Sequence, residues 1–295
     1  MLTRRDVLKA GAAGVSALMA STRAAFAVAP QPRTKVNFDV PAGACDCHVH
    51  VFGDPKQYPF FSGRTYSPDT ASVDELRQLL SALRLERVVI VQPSVYGTDN
   101  RCTLDGMRAL GDRARGVAVI DEKTADAELD AMAKAGIRGI RLNLATAGVT
   151  DPAIARQRWA GAVARARSRG WHIQINTQPS VIAALSDLFL NSPVPVVIDH
   201  FGGATGAGGV QQPGFDALVN LIKSGKGYVK ISGGPIWSRR KVILRTWHRS
   251  PVPSSRPTLS AFCGAPTGLI PGRIRCRAVS PPISRCTSRP TMEKF

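Results

Sequence analysis

Seven apolar runs punctuate the chain, at residues 44–51, 87–93, 115–120, 137–143, 172–176, 195–200 and 228–233. Each is short and mostly apolar, and Val and Ile dominate several of them. Such runs suit strands buried on both faces, as in a parallel sheet covered by helices. Helical patterns lie between most of them. Residues 73–85 place Leu76, Leu79, Leu80 and Leu83 at a 3.6-residue period, and 215–223 does the same with Phe215, Leu218, Val219 and Ile222. Residues 127–135 and 153–169 are alanine-rich helices with their charges on one side. Strand and helix alternating in this way predict an α/β fold, a (β/α)8 barrel with its eighth strand still to be found. An open doubly wound sheet is the alternative, weakened by the lack of a G-x-G-x-x-G turn after the first strand.

The polar residues within these apolar runs gather at the C-terminal ends, where a barrel carries its chemistry. His48 and His50 end the first run. Gln92, Ser94 and Tyr96 follow the second, and Asp121 the third. Arg141 and Asn143 end the fourth, Gln174 and Asn176 the fifth, Asp199 and His200 the sixth, and Ser232 the seventh. Residues two apart on a strand point the same way, so His48 and His50 project together. Imidazole can donate, accept or ligate a metal near neutral pH. A guanidinium facing inward on a core strand needs an anionic partner, and a substrate carboxylate would give Arg141 one. Asp121 suits a cap, and Gln174 and Asn176 suit loop backbone. Cys45 and Cys47 fall on the alternate face of the first strand, which suits packing.

Charge changes the picture only at the ends. The net charge is +18. Residues 235–295 carry 12 Lys+Arg against the single acid Glu293, and residues 1–27 carry four basic residues against Asp6. The body, 28–234, holds 23 basic and 19 acidic residues, close to balance. A general affinity for nucleic acid is therefore not indicated. Arg4-Arg5, the small apolar stretch 10–20 and Ala25-Phe26-Ala27 resemble a twin-arginine export signal ending at residue 27. The apolar stretch is too short to span a membrane. The expectation is a bacterial periplasmic protein exported by the twin-arginine machinery, with 28–43 as a linker to a barrel over 44–234. None of the six Cys has zinc-finger spacing.

CDCHVHVFG at 45–53, Tyr58-Pro59-Phe60, Arg64-Thr65-Tyr66, QPSVYG at 92–97, GIRLN at 139–143 and Asp199-His200-Phe201-Gly202 keep an order and spacing that resemble the amidohydrolase superfamily. The similarity runs from about residue 40 to 233. It is strongest to the metal-dependent-hydrolase-like branch that includes 2-pyrone-4,6-dicarboxylate lactonase. The resemblance implies a barrel that hydrolyses a lactone or a related carboxylate-bearing ester or amide. It implies that His48, His50 and His200 surround and polarise the scissile carbonyl, and that Tyr66, Ser94 and Arg141 hold substrate carboxylates and ring. It implies no cofactor; one zinc ion on His48, His50 and His200 is the lesser option. An aspartate after strand eight would serve as general base. The branch offers a second arginine shortly after Arg141, where this chain has Ala147 in a neutral loop. An acid decarboxylase of the same superfamily and a non-catalytic anion-binding barrel remnant are the competing functions.

After Gly234 the periodic pattern stops. Residues 235–295 hold 9 of the 21 Pro and no Asp, and read as a basic disordered tail without strand eight. Read from the third base of each codon, RTWHRSPVPSSRPTLSAFCG permits DVAPLARALVKANPQRILWG, and APTGLIPG permits TDWPHPG. A helix, a strand and the superfamily's aspartate motif then emerge in order, with the aspartate over Pro266–Thr267. The expectation is a one-nucleotide shift near Gly233–Pro235 and impaired activity in this chain.

Overall fold

The structure, a computed structural model, describes residues 29–231. Within them lie seven strands in one parallel sheet: β1 (Cys45–Val49), β2 (Arg87–Val91), β3 (Ala114–Ala118), β4 (Ile137–Asn143), β5 (His172–Asn176), β6 (Val196–Ile198) and β7 (Gly227–Val229). Their spatial order is the chain order, and every neighbouring pair is parallel. A doubly wound sheet reverses its strand order partway; this one does not, so the open-sheet alternative fails. The fold is an α/β, (β/α)8-type barrel, incomplete at seven strands among the described residues. The export signal, the tail and the expected eighth strand fall outside those residues.

Helices α1 (Val73–Ala82), α2 (Arg101–Leu110), α3 (Asp126–Ala135), α4 (Pro152–Arg167), α5 (Pro179–Ala184), α6 (Ser186–Leu190) and α7 (Phe215–Lys223) fill the crossovers. α1 begins at a capping box. Ser72 Oγ accepts from Glu75 N at 3.2 Å, and Ser72 N donates to Glu75 Oε2 at 2.7 Å. It stops three residues before its pattern does, because the chain turns at Arg84 with φ 56°. Asp151 caps α4, accepting from Ala153 N at 2.8 Å with Pro152 in the first turn. α2 shows no clear helical stripe in sequence, because its buried Cys102, Met107 and Leu110 are separated by charged residues and Gly106. Among the described residues, no helix is long and apolar enough to cross a membrane.

Two apolar clusters show which face is which. Val88 and Ile90 of β2 belong to the large cluster shared with the helices, whereas Val89, Val91 and Val117 form a separate one. Strand alternation therefore places Val89 and Val91 on the barrel interior. Cys45 packs on that interior cluster, while Val49 packs on the helix side. Residues four apart in a regular strand would share a face. They do not here because Asp46 pairs with Val88 and Val49 with Ile90, leaving one extra residue in β1. Asp46 accepts from His48 N at 3.0 Å across this bulge. The expectation that Cys45 lies opposite the histidines is thus corrected: the bulge puts Cys45 and His48 on the same wall.

Candidate active site

The bulge and the turn after β6 bring the three predicted imidazoles together. The His48 ring centroid lies 5.1 Å from that of His50 and 4.7 Å from that of His200. His200 and Phe201 adopt positive φ, 52° and 55°, followed by Gly202 at 65° and Gly203 at 72°. Two non-glycine residues in the left-handed region cost energy, and such strain gathers at functional sites. Here it swings His200 back over the end of β6.

Beneath the imidazoles lies a buried ionic network. Asp199 Oδ2 accepts from Arg141 Nε at 3.2 Å, Arg141 Nη2 at 3.1 Å and Gln174 Nε2 at 3.0 Å. Gln174 Oε1 accepts from Lys230 Nζ at 2.7 Å. Lys230 Nζ is 3.5 Å from Asp199 Oδ1 and 3.3 Å from His48 Nδ1. Arg141, Gln174, Asp199 and Lys230 are each 5 % exposed or less. Burial raises the Asp199 carboxyl, but the charges of Lys230 and Arg141 hold it well below the usual carboxylate range. Burial lowers Lys230, and Asp199 offsets part of that. The anionic partner that Arg141 meets inside the barrel is therefore Asp199. Its Nη1 also donates to Gln92 O at 3.1 Å.

The remaining predicted residues divide. Ser94, half-buried, opens the otherwise buried 3-10 turn after β2, and Tyr66 sits on the β1–α1 loop at 44 % exposure. Gln92 ties down its own loop, donating to Asp99 O at 2.8 Å and accepting from Thr103 Oγ1 at 2.6 Å. Tyr96 accepts from Gly53 N at 3.1 Å. Asp121 closes a turn by accepting from Lys123 N and Thr124 N. Asn176 donates to Thr146 Oγ1 at 3.1 Å. Ser232 lies outside the described residues. Lys230 was not singled out from the sequence; its one signal was a lone charge in the run YVKIS.

Burial keeps the imidazoles neutral. His48 is pushed down to about 4 by desolvation, which Asp199 opposes and Lys230 and Arg141 reinforce. His50 lies well below its usual value, through desolvation first and then Arg141 and His48. His200 is lowered by desolvation first, then by Arg141 and Lys230, with Asp199 opposing. His172, buried on β5 against Gly139, falls to about 3 through desolvation and Lys230. Since an unfolded histidine binds its proton near 6.5, the unfolded chain holds more protons between pH 6.5 and 4. The stability these rings contribute is complete above pH 6.5 and is lost as pH falls toward 4. Urea unfolding followed by circular dichroism should show a loss of about 2 kcal/mol per ring for His48 and His172 at pH 5 relative to pH 7.5. A flat profile across that window would contradict the buried neutral rings.

His50 Nδ1 lies 2.7 Å from Val91 O. A carbonyl only accepts, so Nδ1 carries the proton and Nε2 presents a lone pair. Of the three rings, His50 is constrained to accept from its ligand. His48, Asp199 and His200 form a group whose potential ligand atoms lie within 4.8 Å of one another. A divalent ion there fits poorly. Oδ2 of the only carboxylate is taken by Arg141 and Gln174, and Oδ1 faces Lys230, so the ion would sit beside two fixed cations. His50 is not part of that group.

The chain is similar to known proteins over most of these residues. A 2-pyrone-4,6-dicarboxylate hydrolase of Comamonas testosteroni is 36 % identical over 191 residues, covering 64 % of this chain and 62 % of that protein. The chain thus spans under two thirds of that relative's length. A 4-sulfomuconolactone hydrolase of Hydrogenophaga intermedia is 31 % identical over 209 residues, covering 69 % of this chain and 67 % of that protein. A crystal structure of a probable 2-pyrone-4,6-dicarboxylic acid hydrolase from Acinetobacter baumannii, with citric acid bound, superposes with a TM-score of 0.58 at 30 % identity, over 65 % of this chain and 70 % of that one. The amidohydrolase family profile matches residues 45–262, most of the chain. With the barrel wall, the converging imidazoles and this match in agreement, the chain belongs to the amidohydrolase family.

Proposed function

We propose that this barrel hydrolyses a lactone bearing one or more carboxylates. The observation that carries the reading is the meeting of His48, His50 and His200 above a buried Arg141–Asp199–Lys230 cluster. Two cations against one carboxylate leave the pocket floor with net positive charge. That field attracts an anionic substrate and stabilises the oxyanion formed when water adds to the ring carbonyl. The hydrolase relatives and the citrate-bound structure are consistent with carboxylate-bearing ligands. His48 and His200 face the carbonyl, and the Nε2 lone pair of His50 accepts a hydrogen bond from the attacking water. Arg141, Ser94 and Tyr66 are proposed to meet the carboxylates and ring. Water's oxygen bonds to the carbonyl carbon, the ring C–O bond breaks, and one water proton passes to the departing ring oxygen, leaving a carboxylic acid and a hydroxyl. The reading needs no divalent ion.

The test is ring opening of 2-pyrone-4,6-dicarboxylate, followed by loss of its absorbance and by product analysis. His200→Ala should lower kcat by about 10²-fold, the scale of one lost oxyanion donor. Release of CO2 in place of a ring-opened acid would establish the decarboxylase instead. We further propose export to the periplasm through residues 1–27. Replacing Arg4-Arg5 with Lys-Lys should leave a tagged chain in the cytoplasm on fractionation.

A further inference from the structure

We propose that Lys230 is a positioning residue that fixes the tautomer of His48, making it the hydrogen-bond donor of the pocket. Its consequence for turnover rests on the hydrolytic reading; the tautomer does not. Lys230 lies one residue beyond β7 and is 5 % exposed. An ammonium has three N–H groups and no acceptor. Three acceptors surround it: Gln174 Oε1 at 2.7 Å, His48 Nδ1 at 3.3 Å and Asp199 Oδ1 at 3.5 Å.

His48 Nδ1 has two neighbours that demand opposite states. Asp199 Oδ1, 3.2 Å away, calls for a proton on Nδ1, whereas Lys230 calls for a lone pair. Geometry decides between them. The Lys230 contact has hydrogen-bond geometry, while Asp199 Oδ1 is buried with no hydrogen bond despite its closeness to the ring. A proton in the plane of the imidazole on Nδ1 is misaligned with Oδ1. Nδ1 therefore accepts from Lys230, and the single proton of the neutral ring resides on Nε2. That Nε2 is buried and has no hydrogen-bond partner among the described residues. Its proton is the polar group left for a ligand. A lost partner for a buried donor is costly, so a ligand oxygen there is favoured.

The two members of the HxH pair then carry opposite roles. Val91 O makes His50 an acceptor at Nε2, and Lys230 makes His48 a donor at Nε2. A donor beside an acceptor matches a carbonyl oxygen beside an attacking water. Gln174 keeps Lys230 in place, because its amide accepts from Lys230 and donates to Asp199 at once.

The experiment is nitrogen-15 NMR of the full chain labelled at histidine, at pH 7.5, with the His48 signals assigned from a His48→Gln variant. Expected are a pyridine-type Nδ1 and a pyrrole-type Nε2. Lys230→Met should exchange the two, as Nδ1 takes the proton and turns to Asp199. Lys230→Arg, which keeps a donor, should restore the original pattern. A protonated Nδ1 in the unaltered chain overturns the proposal, whether or not the Met variant folds. So does a folded Lys230→Met with unchanged shifts. With 2-pyrone-4,6-dicarboxylate as probe, Lys230→Met should lose about 10²-fold in kcat with little change in KM. Exchange of the tautomer without that loss overturns the catalytic consequence. Absence of turnover in both this chain and its frame-restored form counts against the hydrolytic reading, and the NMR result stands apart from it.

Discussion

Asp199→Asn should unfold at a much lower urea concentration than the unaltered chain, with a loss of about 3–5 kcal/mol. The carboxylate lies between Arg141 and Lys230, and all three side chains are almost wholly buried. An amide keeps the shape and one acceptor but removes the charge. Two cations are then left in a dry interior without a counter-ion. Folded domains hold only about 5–15 kcal/mol in total, so this one change consumes a large share. Fluorescence of the buried Trp159 and Trp171 reports the transition. Adding Lys230→Met to the variant should return part of the loss, since one of the stranded charges goes with it. A midpoint within about 0.5 kcal/mol of the parent, the usual effect of a surface substitution, would show that the network is not balanced on Asp199.

We propose that the reading frame slips by one nucleotide after Gly234; restoring it should raise turnover by about 10²–10⁴-fold, the usual contribution of a positioned general base. The described residues hold donors, an acceptor and a cationic floor, but their only buried aspartate near the imidazoles is committed to Arg141 and Lys230. In the shifted reading an aspartate returns over Pro266–Thr267, inside TDWPHPG. The family match runs on through residues 235–262, beyond the limit near 233 read from the motifs, and ends short of that position. Both chains would be assayed side by side on 2-pyrone-4,6-dicarboxylate. Equal turnover would sink the frame reading, as would an uninterrupted gene encoding this chain with no such motif in the neighbouring frame.

The barrel wall was legible because each strand is an apolar run short enough to be bounded and too uniform to be a surface strand. β4 and β5 were delimited to the residue, IRGIRLN and HIQIN. The imidazoles were legible from the HxH spacing and from His200 ending its run. The network beneath them was not. Asp199 meets Arg141 across 58 residues and Lys230 across 31, and nothing local in either strand marks the partner. Arg141 needs an anion wherever it faces inward, and the anion inside the barrel is Asp199. Lys230 escaped notice because one lysine within YVKIS reads as an edge residue until the sheet curls around it. α2 was missed because Arg101, Asp105 and Arg108 interrupt its apolar face in sequence, though not in space.

The extra residue in β1 has a bearing on how such sites are recognised. It slips the strand by half a repeat between Asp46 and Val49, and that slip decides whether the two rings enter the pocket or the helix layer. A chain with identical HxH letters and a straight first strand would present both imidazoles to the helices and have no centre at all. Phase, carried by Cys45 and Asp46 upstream, is therefore as much a part of the signature as the histidines themselves.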